Sequence, residues 1–409
     1  MCQTLGGCGY GVTSQDRKNM MTSNGKQMLK INATSLTPRN WLRRCQKYRA
    51  RRVGLLMQRI GFPVLRHAGK LAILLGGLLM QPNLPAETAT NGNRLGSTDV
   101  GIWYCTYYGD AWTNVGGMGY PPTLYRPLCS NKPGDFRTYN ATNVAVVDFH
   151  LQQIAAAKID FLLFELTPGG LGGYRHAMDV FVDNARVAAR RLKIWNDTHT
   201  WKIRYAIAAG AHPDVYGSDP IGVCMEREAQ DVYDHFYNNP DFGGPTNYYQ
   251  LDGKPLIVYW GALNQNISTW ASYAGDKTYG NHFAVRFAQD VISGSYGWNI
   301  YANGTVINRE VEVVSPGWGH YKRAAPPYVS RRKGDFYAQC WNTVLTNPRP
   351  RIVMIVAFND YLENTAVWTA DTTHLTDADQ WIGHDGQPHP SMYWDLTVRN
   401  IQALREGKP

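Results

Sequence analysis

Two carboxylates and an amide follow the longest apolar run in the second half of the chain. The run RIVMIVAF occupies residues 351–358, and Asn359, Asp360 and Glu363 come directly after it. A further acid, Glu165, follows the apolar run FLLF of residues 161–164. A pair of carboxylates can hydrolyse a glycosidic bond, one as general acid and the other as base or nucleophile. The catalytic residues predicted from this pattern are therefore Glu165, Asp360 and Glu363.

Aromatic and polar side chains also follow the ends of the other apolar runs. Aromatic rings stack on the apolar faces of sugars, while carboxylates and amides bind their hydroxyls, so this mixture is typical of a sugar-binding cleft. The predicted substrate-binding residues are Tyr108, Asp110, Trp112, His212, Trp260, Trp318 and Asn359. Each type also has a structural alternative, because tryptophan is mostly buried and aspartate commonly caps helices and turns.

The elements that position these side chains are apolar runs alternating with amphipathic stretches. Continuously apolar strands alternating with helices predict a parallel sheet covered on both faces. Seven such runs occupy about 310 residues, which predicts a (β/α)₈ TIM barrel in one domain, with the eighth strand expected within residues 366–383. A doubly wound open sheet is the alternative, although no G-x-G-x-x-G motif follows a strand. In a barrel the active site lies at the carboxyl ends of the strands.

Three segments in the C-terminal half resemble a family of secreted barrels. They read VSPGWGHYKR, RRKGDFYAQCWNTVL and RIVMIVAFNDYLENTAVW. They are similar to the clan that contains glycoside hydrolase families 99 and 71, in which a PGW strand end precedes a G-x-x-Y-x-x-x-W helix and a strand ending in Asn-Glu. The likeness covers about 55 residues well, and the segments GIWYCTYYGDAW and HLQQIAAAKIDFLLFEL resemble the family more loosely. The resemblance implies a (β/α)₈ barrel and activity on glycans.

The chain departs from the family pattern at the positions that carry its chemistry. The Asn-Glu pair of the family is Asn359-Asp360 here, and Glu-Gly-Thr is Glu363-Asn364-Thr365. The strand that carries a glutamate pair in the mannosidase-like branch reads YAIAAGAHPDV, which contains no glutamate. That branch's catalytic residues and its mannan substrate are therefore not transferred. The match to the Asn-Glu position favours Asp360 over Glu363 as the partner of Glu165, and we expect this partner to face Glu165 across the barrel mouth.

The basic charge of the chain belongs to its N-terminus. Residues 1–86 hold 14 of the 41 lysines and arginines and one of the 32 acids. The remainder has 27 basic and 31 acidic residues, which does not indicate a nucleic-acid partner. Basic residues followed by LAILLGGLLM and then Ala86 or Ala89 are typical of a secretory signal. We expect a leader over residues 1–89, a catalytic domain over residues 90–409, and a secreted or periplasmic protein without a stable membrane span.

Four cysteines remain after the predicted leader, an even number that suits an exported protein. The shortest separation predicts a Cys105–Cys129 disulfide, which leaves Cys224–Cys340 as the second. Four buried thiols are the alternative. No cysteine or histidine spacing indicates a metal site.

The predicted function is a secreted glycoside hydrolase that acts on a polysaccharide or glycan. No cofactor is expected, because such hydrolysis needs only two carboxylates. Two alternatives remain open: a non-catalytic carbohydrate-binding barrel, and an enzyme that transfers sugars in cell-surface polysaccharide metabolism.

Overall fold

A computed structural model describes most of the chain after residue 97. The described residues are 98–109, 125–166, 175–210, 219–260, 270, 272–288, 310–319, 328–375 and 380–408. The predicted leader and signal segment lie outside these residues.

Within the described residues, seven parallel strands form the central sheet. They are β1 (Asp99–Cys105), β2 (Phe161–Leu166), β3 (Arg204–Gly210), β4 (Lys254–Trp260), β5 (Ala284–Phe287), β6 (Val311–Val314) and β7 (Ile352–Ile355). The hydrogen-bonded order is β5-β4-β3-β2-β1-β7-β6, and every neighbouring pair is parallel. The seven apolar runs recognised in the sequence are thus confirmed as the strands of one parallel sheet.

Four helices lie between described strands of the sheet, and a fifth follows the last strand. They are α1 (Val144–Ala156), α2 (Arg175–Thr198), α3 (Ile221–Val232), α4 (Asp335–Thr346) and α5 (Met392–Glu406). Asn143 caps α1, since its side-chain oxygen accepts hydrogen bonds from the backbone nitrogens of Ala145 and Val146. Shorter helical turns lie at Tyr233–Tyr237, Pro240–Phe242, Gly244–Asn247, Gly280–His282 and Arg332–Gly334. Among the described residues no helix is both long and apolar enough to cross a membrane.

Two-residue strands lie beside the parallel sheet. Trp318–Gly319 pairs with Tyr328–Val329, Arg126–Pro127 with Ala370–Asp371, and Gln250–Leu251 with β4, all antiparallel. The eighth barrel strand was expected within residues 366–383. That prediction is wrong, because the only strand of this region that the structure describes, Ala370–Asp371, pairs with Arg126–Pro127 instead of joining the parallel sheet.

The sheet curls, and an ion pair joins its two edge strands. The Arg286 guanidinium on β5 contacts the Glu310 carboxylate just before β6, with Nε–Oε1 and Nη2–Oε2 distances of 2.5 and 2.9 Å. Both side chains are largely buried. Residues 289–309 between the two edges lie outside the described residues. The structure therefore establishes a curled parallel sheet of seven strands, with its edges in side-chain contact.

Alternate residues of β1 face the interior of the curled sheet. A Cβ atom at position 101 would lie 2.3 Å from the Phe161 ring and 2.7 Å from the terminal methyl group of Met354. Because Gly101 lacks this atom, β1, β2 and β7 can pack closely. Tyr104, three positions further along the strand, faces outward, and its hydroxyl lies 2.9 Å from Nδ1 of His150 on α1. Because strand residues alternate between faces, Cys105 shares the inner face with Gly101.

The two predicted disulfides do not form. The four cysteines that follow the predicted leader are buried free thiols. Each thiol contacts a different hydrogen-bond acceptor. The Cys105 thiol donates to the Glu165 carboxylate, and the Cys129 thiol lies beside the backbone carbonyls of Pro127 and Arg137. The thiols of Cys224 and Cys340 lie beside the backbone carbonyls of Asp219 and Ser315, respectively. The cysteines are therefore packed as separate small apolar groups.

Candidate active site

Glu165 lies near the carboxyl end of β2, on the inner face of the sheet. It is in register with Cys105 of β1, and the Cys105 thiol donates a hydrogen bond to its Oε2 at 3.1 Å. The neighbouring residues Phe164 and Leu166 are fully buried, whereas Glu165 is only partly buried. The apolar strand thus places one partly exposed carboxylate at the mouth of the sheet.

Asn359 fixes the chain that leaves β7 against the end of β1. Its Oδ1 accepts a hydrogen bond from the Cys105 backbone nitrogen at 2.8 Å, and its Nδ2 donates to the Cys105 carbonyl at 2.9 Å. The other Nδ2 hydrogen is donated to the Tyr139 hydroxyl at 2.8 Å. The amide is 0% exposed, so its hydrogen bonds are made entirely inside the protein.

The Asp360 carboxylate organises the turn that follows. Its Oδ1 accepts hydrogen bonds from the Tyr107 hydroxyl at 2.7 Å and from the backbone nitrogens of Leu362 and Glu363 at 3.1 and 3.0 Å. Its Oδ2 accepts one from the Thr365 hydroxyl at 3.1 Å. Burial raises the pKa of Asp360, and these hydrogen bonds oppose that rise. Asp360 therefore caps the turn over residues 360–365, which we call the acidic turn.

A buried arginine supports the far end of the acidic turn. Asn364 has a left-handed backbone, with φ of 55°. Its side-chain oxygen accepts hydrogen bonds from Arg331 Nε at 3.0 Å and from the Tyr125 hydroxyl at 2.8 Å, and its carbonyl accepts one from Arg331 Nη2 at 2.9 Å. Arg331 also lies over the rings of Trp381 and Tyr393. These contacts hold a conformation that asparagine adopts at a steric cost.

Glu363 presents the second partly exposed carboxylate of the site. Its Oε2 accepts a hydrogen bond from the Trp318 indole Nε1 at 3.0 Å, and its carbonyl accepts one from the Gly319 backbone nitrogen at 2.8 Å. Trp318 is 8% exposed and follows β6. Two neighbouring strand ends therefore fix the position of Glu363.

The ionisable groups between these acids remain protonated. Burial raises the pKa of the Cys105 thiol well above its ordinary value, and the charges of Glu165 and Asp360 raise it further. Burial and the Asp360 charge do the same to the Tyr107 hydroxyl. Both groups therefore act as hydrogen-bond donors rather than as anions.

Only one strand separates the strands that carry the predicted acids, which corrects one expectation. Glu165 was expected to face the acidic turn from across the barrel mouth. The sheet order is β2-β1-β7, so only β1 separates the strand of Glu165 from the strand that precedes Asp360 and Glu363. The strand ends that carry these acids are therefore close together in the sheet order, with Cys105 at the end of the strand between them.

The structure places the predicted substrate-binding residues unequally. Asp110, Trp112 and His212 lie outside the described residues, as does the side chain of Trp260, whose backbone ends β4. Tyr108 is 0% exposed, and its hydroxyl donates to the Asn359 carbonyl at 2.7 Å and accepts from the Tyr361 nitrogen at 3.0 Å. Tyr108 and Asn359 therefore hold strand ends together, which differs from the contact with substrate predicted from the sequence.

Four residues of the site were not in the predicted set. Cys105 was assigned to a disulfide, and Tyr107, Tyr125 and Arg331 received no role. The period-two alternation of a strand could have placed Cys105 beside Glu165, because both belong to inward-facing positions. No comparable signal identifies Arg331, which reaches Asn364 from 33 residues away in the sequence.

Within the segments that the structure describes, no group of three or more histidine, cysteine, aspartate or glutamate side chains is arranged to hold a metal ion.

Comparisons with known proteins identify similar folds. No protein-family profile matches the sequence, and no curated protein matches it significantly. The structure is similar to that of the GH99 endo-alpha-mannosidase from Bacteroides thetaiotaomicron, with 13% identity, a TM-score of 0.51 and alignment over 76% of this chain and 98% of that one. The same enzyme in complex with BIS-TRIS propane gives 14% identity, a TM-score of 0.51, and coverage of 75% and 98%. A glycoside hydrolase-like protein matches at 16% identity with a TM-score of 0.44. The fold is therefore like that of the GH99 enzyme.

Proposed function

We propose that this protein is a secreted glycoside hydrolase that acts on a polysaccharide or glycan. The observation that carries the proposal is the pair of partly exposed carboxylates, Glu165 and Glu363, at the ends of two strands separated only by β1, in a fold like that of a glycoside hydrolase. The proposal includes a closed eight-stranded barrel. The seven-strand order and the Arg286–Glu310 ion pair between the edge strands support that closure.

Glu165 is the proposed proton donor to the leaving-group oxygen. It extends from a strand whose flanking residues are fully buried, and an apolar surrounding disfavours a charged carboxylate. Its carboxyl group is only partly buried, so a substrate oxygen at the mouth of the sheet can reach it. These properties match those of a general acid.

Glu363 is the proposed base or nucleophile. The Trp318 indole N–H orients its Oε2, and the backbone around it is fixed by Asp360 from one side and by Gly319 from the other. Asp360 remains the other candidate for this role. Its carboxylate already accepts four hydrogen bonds inside the protein, so the geometry favours Glu363 as the acid that meets a substrate.

Aromatic and polar residues around these acids complete the proposed cleft. Trp318, whose indole N–H bonds Glu363, remains a proposed substrate-binding residue. Asp110, Trp112, His212 and Trp260 remain proposed substrate-binding residues on the basis of the sequence. Export likewise rests on the basic and apolar pattern of the leader.

The test is hydrolysis of a polysaccharide panel by the purified protein, with detection of new reducing ends. On any substrate that is cleaved, Glu165→Gln and Glu363→Gln should each lower kcat/KM by about 100-fold or more. Glu406→Gln is the matched control, because Glu406 is an exposed residue at the C-terminal end of α5. Wild-type rates in both site variants, with the control also unchanged, would overturn the assignment of these acids.

A non-catalytic carbohydrate-binding barrel is the second candidate. The burial of Asp360, at the position that resembles the family's Asn-Glu, favours it, because this acid serves the turn instead of a substrate. Under this alternative the protein binds a glycan but releases no reducing ends, and Glu165→Gln and Glu363→Gln leave the binding constant nearly unchanged.

A further inference from the structure

A buried thiol contacts one oxygen of the Glu165 carboxylate. Cys105 and Glu165 are register partners on β1 and β2, and the Cys105 Sγ donates a hydrogen bond to Glu165 Oε2 at 3.1 Å. The side-chain amide of Asn359 bonds the backbone nitrogen and the carbonyl of Cys105 at 2.8 and 2.9 Å. The position of the thiol is therefore fixed by β2 on one side and by Asn359 on the other.

The Cys105 thiol keeps its hydrogen. Cys105 is 0% exposed, and burial raises the pKa of its thiol well above the ordinary value, as do the charges of Glu165 and Asp360. A protonated thiol can donate to Glu165 whether the carboxyl group is neutral or ionised. A proton that binds Glu165 at Oε2 has to displace this donor, whereas a proton that binds at Oε1 leaves the contact intact.

A thiol suits this position because it is a neutral and weak donor. An ammonium or guanidinium group beside Glu165 would hold the carboxyl ionised by its charge. The weak donor orients the carboxyl group while a proton can still bind to it. Glu165 is partly exposed, so a substrate can reach the carboxyl group that the buried thiol orients.

We propose that Cys105 is a positioning residue that holds Oε2 of Glu165, so that Oε1 carries the proton and transfers it to the glycosidic oxygen. The proposal rests on the proposed function and names the atom that acts. The Oε1–H bond breaks as the hydrogen bonds to the glycosidic oxygen, and the electron pair of the bond between that oxygen and the anomeric carbon moves to the oxygen. Glu165 is left as a carboxylate, whose charge strengthens the hydrogen bond that the thiol already donates to Oε2. The thiol therefore stabilises the developing charge without rearrangement.

The first test follows the S–H stretching vibration of Cys105 by infrared spectroscopy and needs no substrate. The Cys105 band is assigned by its loss in Cys105→Ala, and Glu165→Ala, which removes the acceptor, gives its reference position without the contact. At neutral pH the wild-type band should lie below this reference in frequency, and it should move only part of the way toward the reference as Glu165 is protonated in the folded protein. The bands of the other thiols should not respond to Glu165→Ala.

Two spectroscopic outcomes would overturn the proposal. A band that reaches the reference position when Glu165 is protonated would place the proton on Oε2. A wild-type band that coincides with the reference at every pH would show that the thiol does not bond the carboxyl group.

The second test is kinetic and uses a glycan that the wild type cleaves. Cys105→Ala should lower kcat/KM about tenfold, with a smaller loss on an aryl glycoside of the same sugar whose leaving group departs without a proton. Cys105→Ser keeps a donor and should recover most of the activity. Cys340→Ala, at a buried thiol beside the Ser315 carbonyl, is the control and should match wild type.

A packing role for Cys105 predicts a different kinetic result. Equal losses of Cys105→Ala on both substrates, or a wild-type rate in the folded variant, would overturn the proposal. A Cys105 band that responds to Glu165, in a protein that cleaves no glycan, would instead identify a failure of the glycosidase assignment with the thiol contact confirmed.

Discussion

The side-chain amide of Asn359 makes with Cys105 the two hydrogen bonds that a neighbouring strand residue would make. Oδ1 accepts from the Cys105 nitrogen at 2.8 Å, and Nδ2 donates to the Cys105 carbonyl at 2.9 Å. The pairing of β7 with β1 is thereby continued by a side chain beyond the end of the strand. The backbone after residue 359 is then available to form the acidic turn.

Asn359→Ala should lower the free energy of unfolding by about 3 kcal/mol. The change leaves a buried N–H and a buried C=O of Cys105 without partners, and each such group costs about 1–3 kcal/mol. Urea denaturation measures the effect. Asn131→Ala is the matched control, since the Asn131 amide bonds Gln152 at the exposed surface and its loss should change stability little. If the two variants were equally stable, the hydrogen bonds between Asn359 and Cys105 would not stabilise the fold as we expect.

Arg331→Lys should destabilise the protein by about 2 kcal/mol, because an ammonium cannot reproduce the hydrogen bonds that the guanidinium donates to the acidic turn. Arg331 is 6% exposed, and its Nη2 bonds the carbonyls of both Asn364 and Ala366. The neighbouring Arg332→Lys is the control, because Arg332 is exposed and bonds Gln339 at the surface. If the two variants unfold at the same denaturant concentration, Arg331 does not stabilise the acidic turn.

His150 should make stability fall as the pH decreases. It is 0% exposed, and burial lowers its pKa from 6.5 to about 3. Between these values the unfolded chain binds more protons than the folded one, so the contribution is complete above pH 6.5 and is lost toward pH 3. At pH 4 the loss should be about 3 kcal/mol relative to pH 7.

The measurement compares denaturation at several pH values in wild type and in His150→Phe. The variant lacks the titrating group, so its stability should depend less steeply on pH in that window. His235→Gln, at an exposed histidine, should keep the wild-type slope. If the stability of His150→Phe depends on pH as steeply as that of wild type, groups other than His150 cause the loss of stability in acid.

The four cysteines of the folded domain should react as free thiols once the chain is denatured. Each is buried against a separate acceptor, and none is bridged. Peptide mapping without reduction should recover Cys105, Cys129, Cys224 and Cys340 with the alkylating label, and a reducing agent should leave the thermal midpoint unchanged. A linked peptide that joins Cys105 to Cys129 would contradict the structure.

The strands were predictable because a central parallel strand is buried on both faces. Such a strand reads as an unbroken apolar run, and the seven runs correspond to seven strands in one sheet. The order of the strands in the sheet could not be predicted from local sequence, because no local pattern indicates that β1 lies between β2 and β7. For that reason the sequence did not predict that a single strand separates the strand of Glu165 from the strand that precedes the acidic turn.

The acidic turn shows where sequence reasoning stops. An aspartate side chain often accepts hydrogen bonds from backbone N–H groups two or three residues later, which is a local pattern. This pattern allows Asp360 to be predicted as a turn residue. Its remaining partner on β1, Tyr107, is 253 residues away, and Tyr125 bonds Asn364 across 239 residues. Contacts of this range depend on the complete fold.

Asp360→Ala should destabilise the protein, whereas Asp360→Asn should leave its stability nearly unchanged. Alanine removes the acceptor of four hydrogen bonds and should lower the free energy of unfolding by about 3 kcal/mol. Asparagine keeps an oxygen for Tyr107, Leu362 and Glu363, and its amide can donate to the Thr365 hydroxyl. The turn should therefore survive in Asp360→Asn, with a thermal midpoint near that of wild type.

This difference makes Asp360→Asn the variant that decides between the two acids of the turn. If Asp360 supports the site while Glu363 meets the substrate, Asp360→Asn should keep kcat/KM within about tenfold of wild type, since the acidic turn that positions Glu363 is retained. Glu363→Gln should lose about 100-fold or more at unchanged stability. The reverse order of activities, measured on one cleaved glycan with both proteins folded, would transfer the chemical role from Glu363 to Asp360.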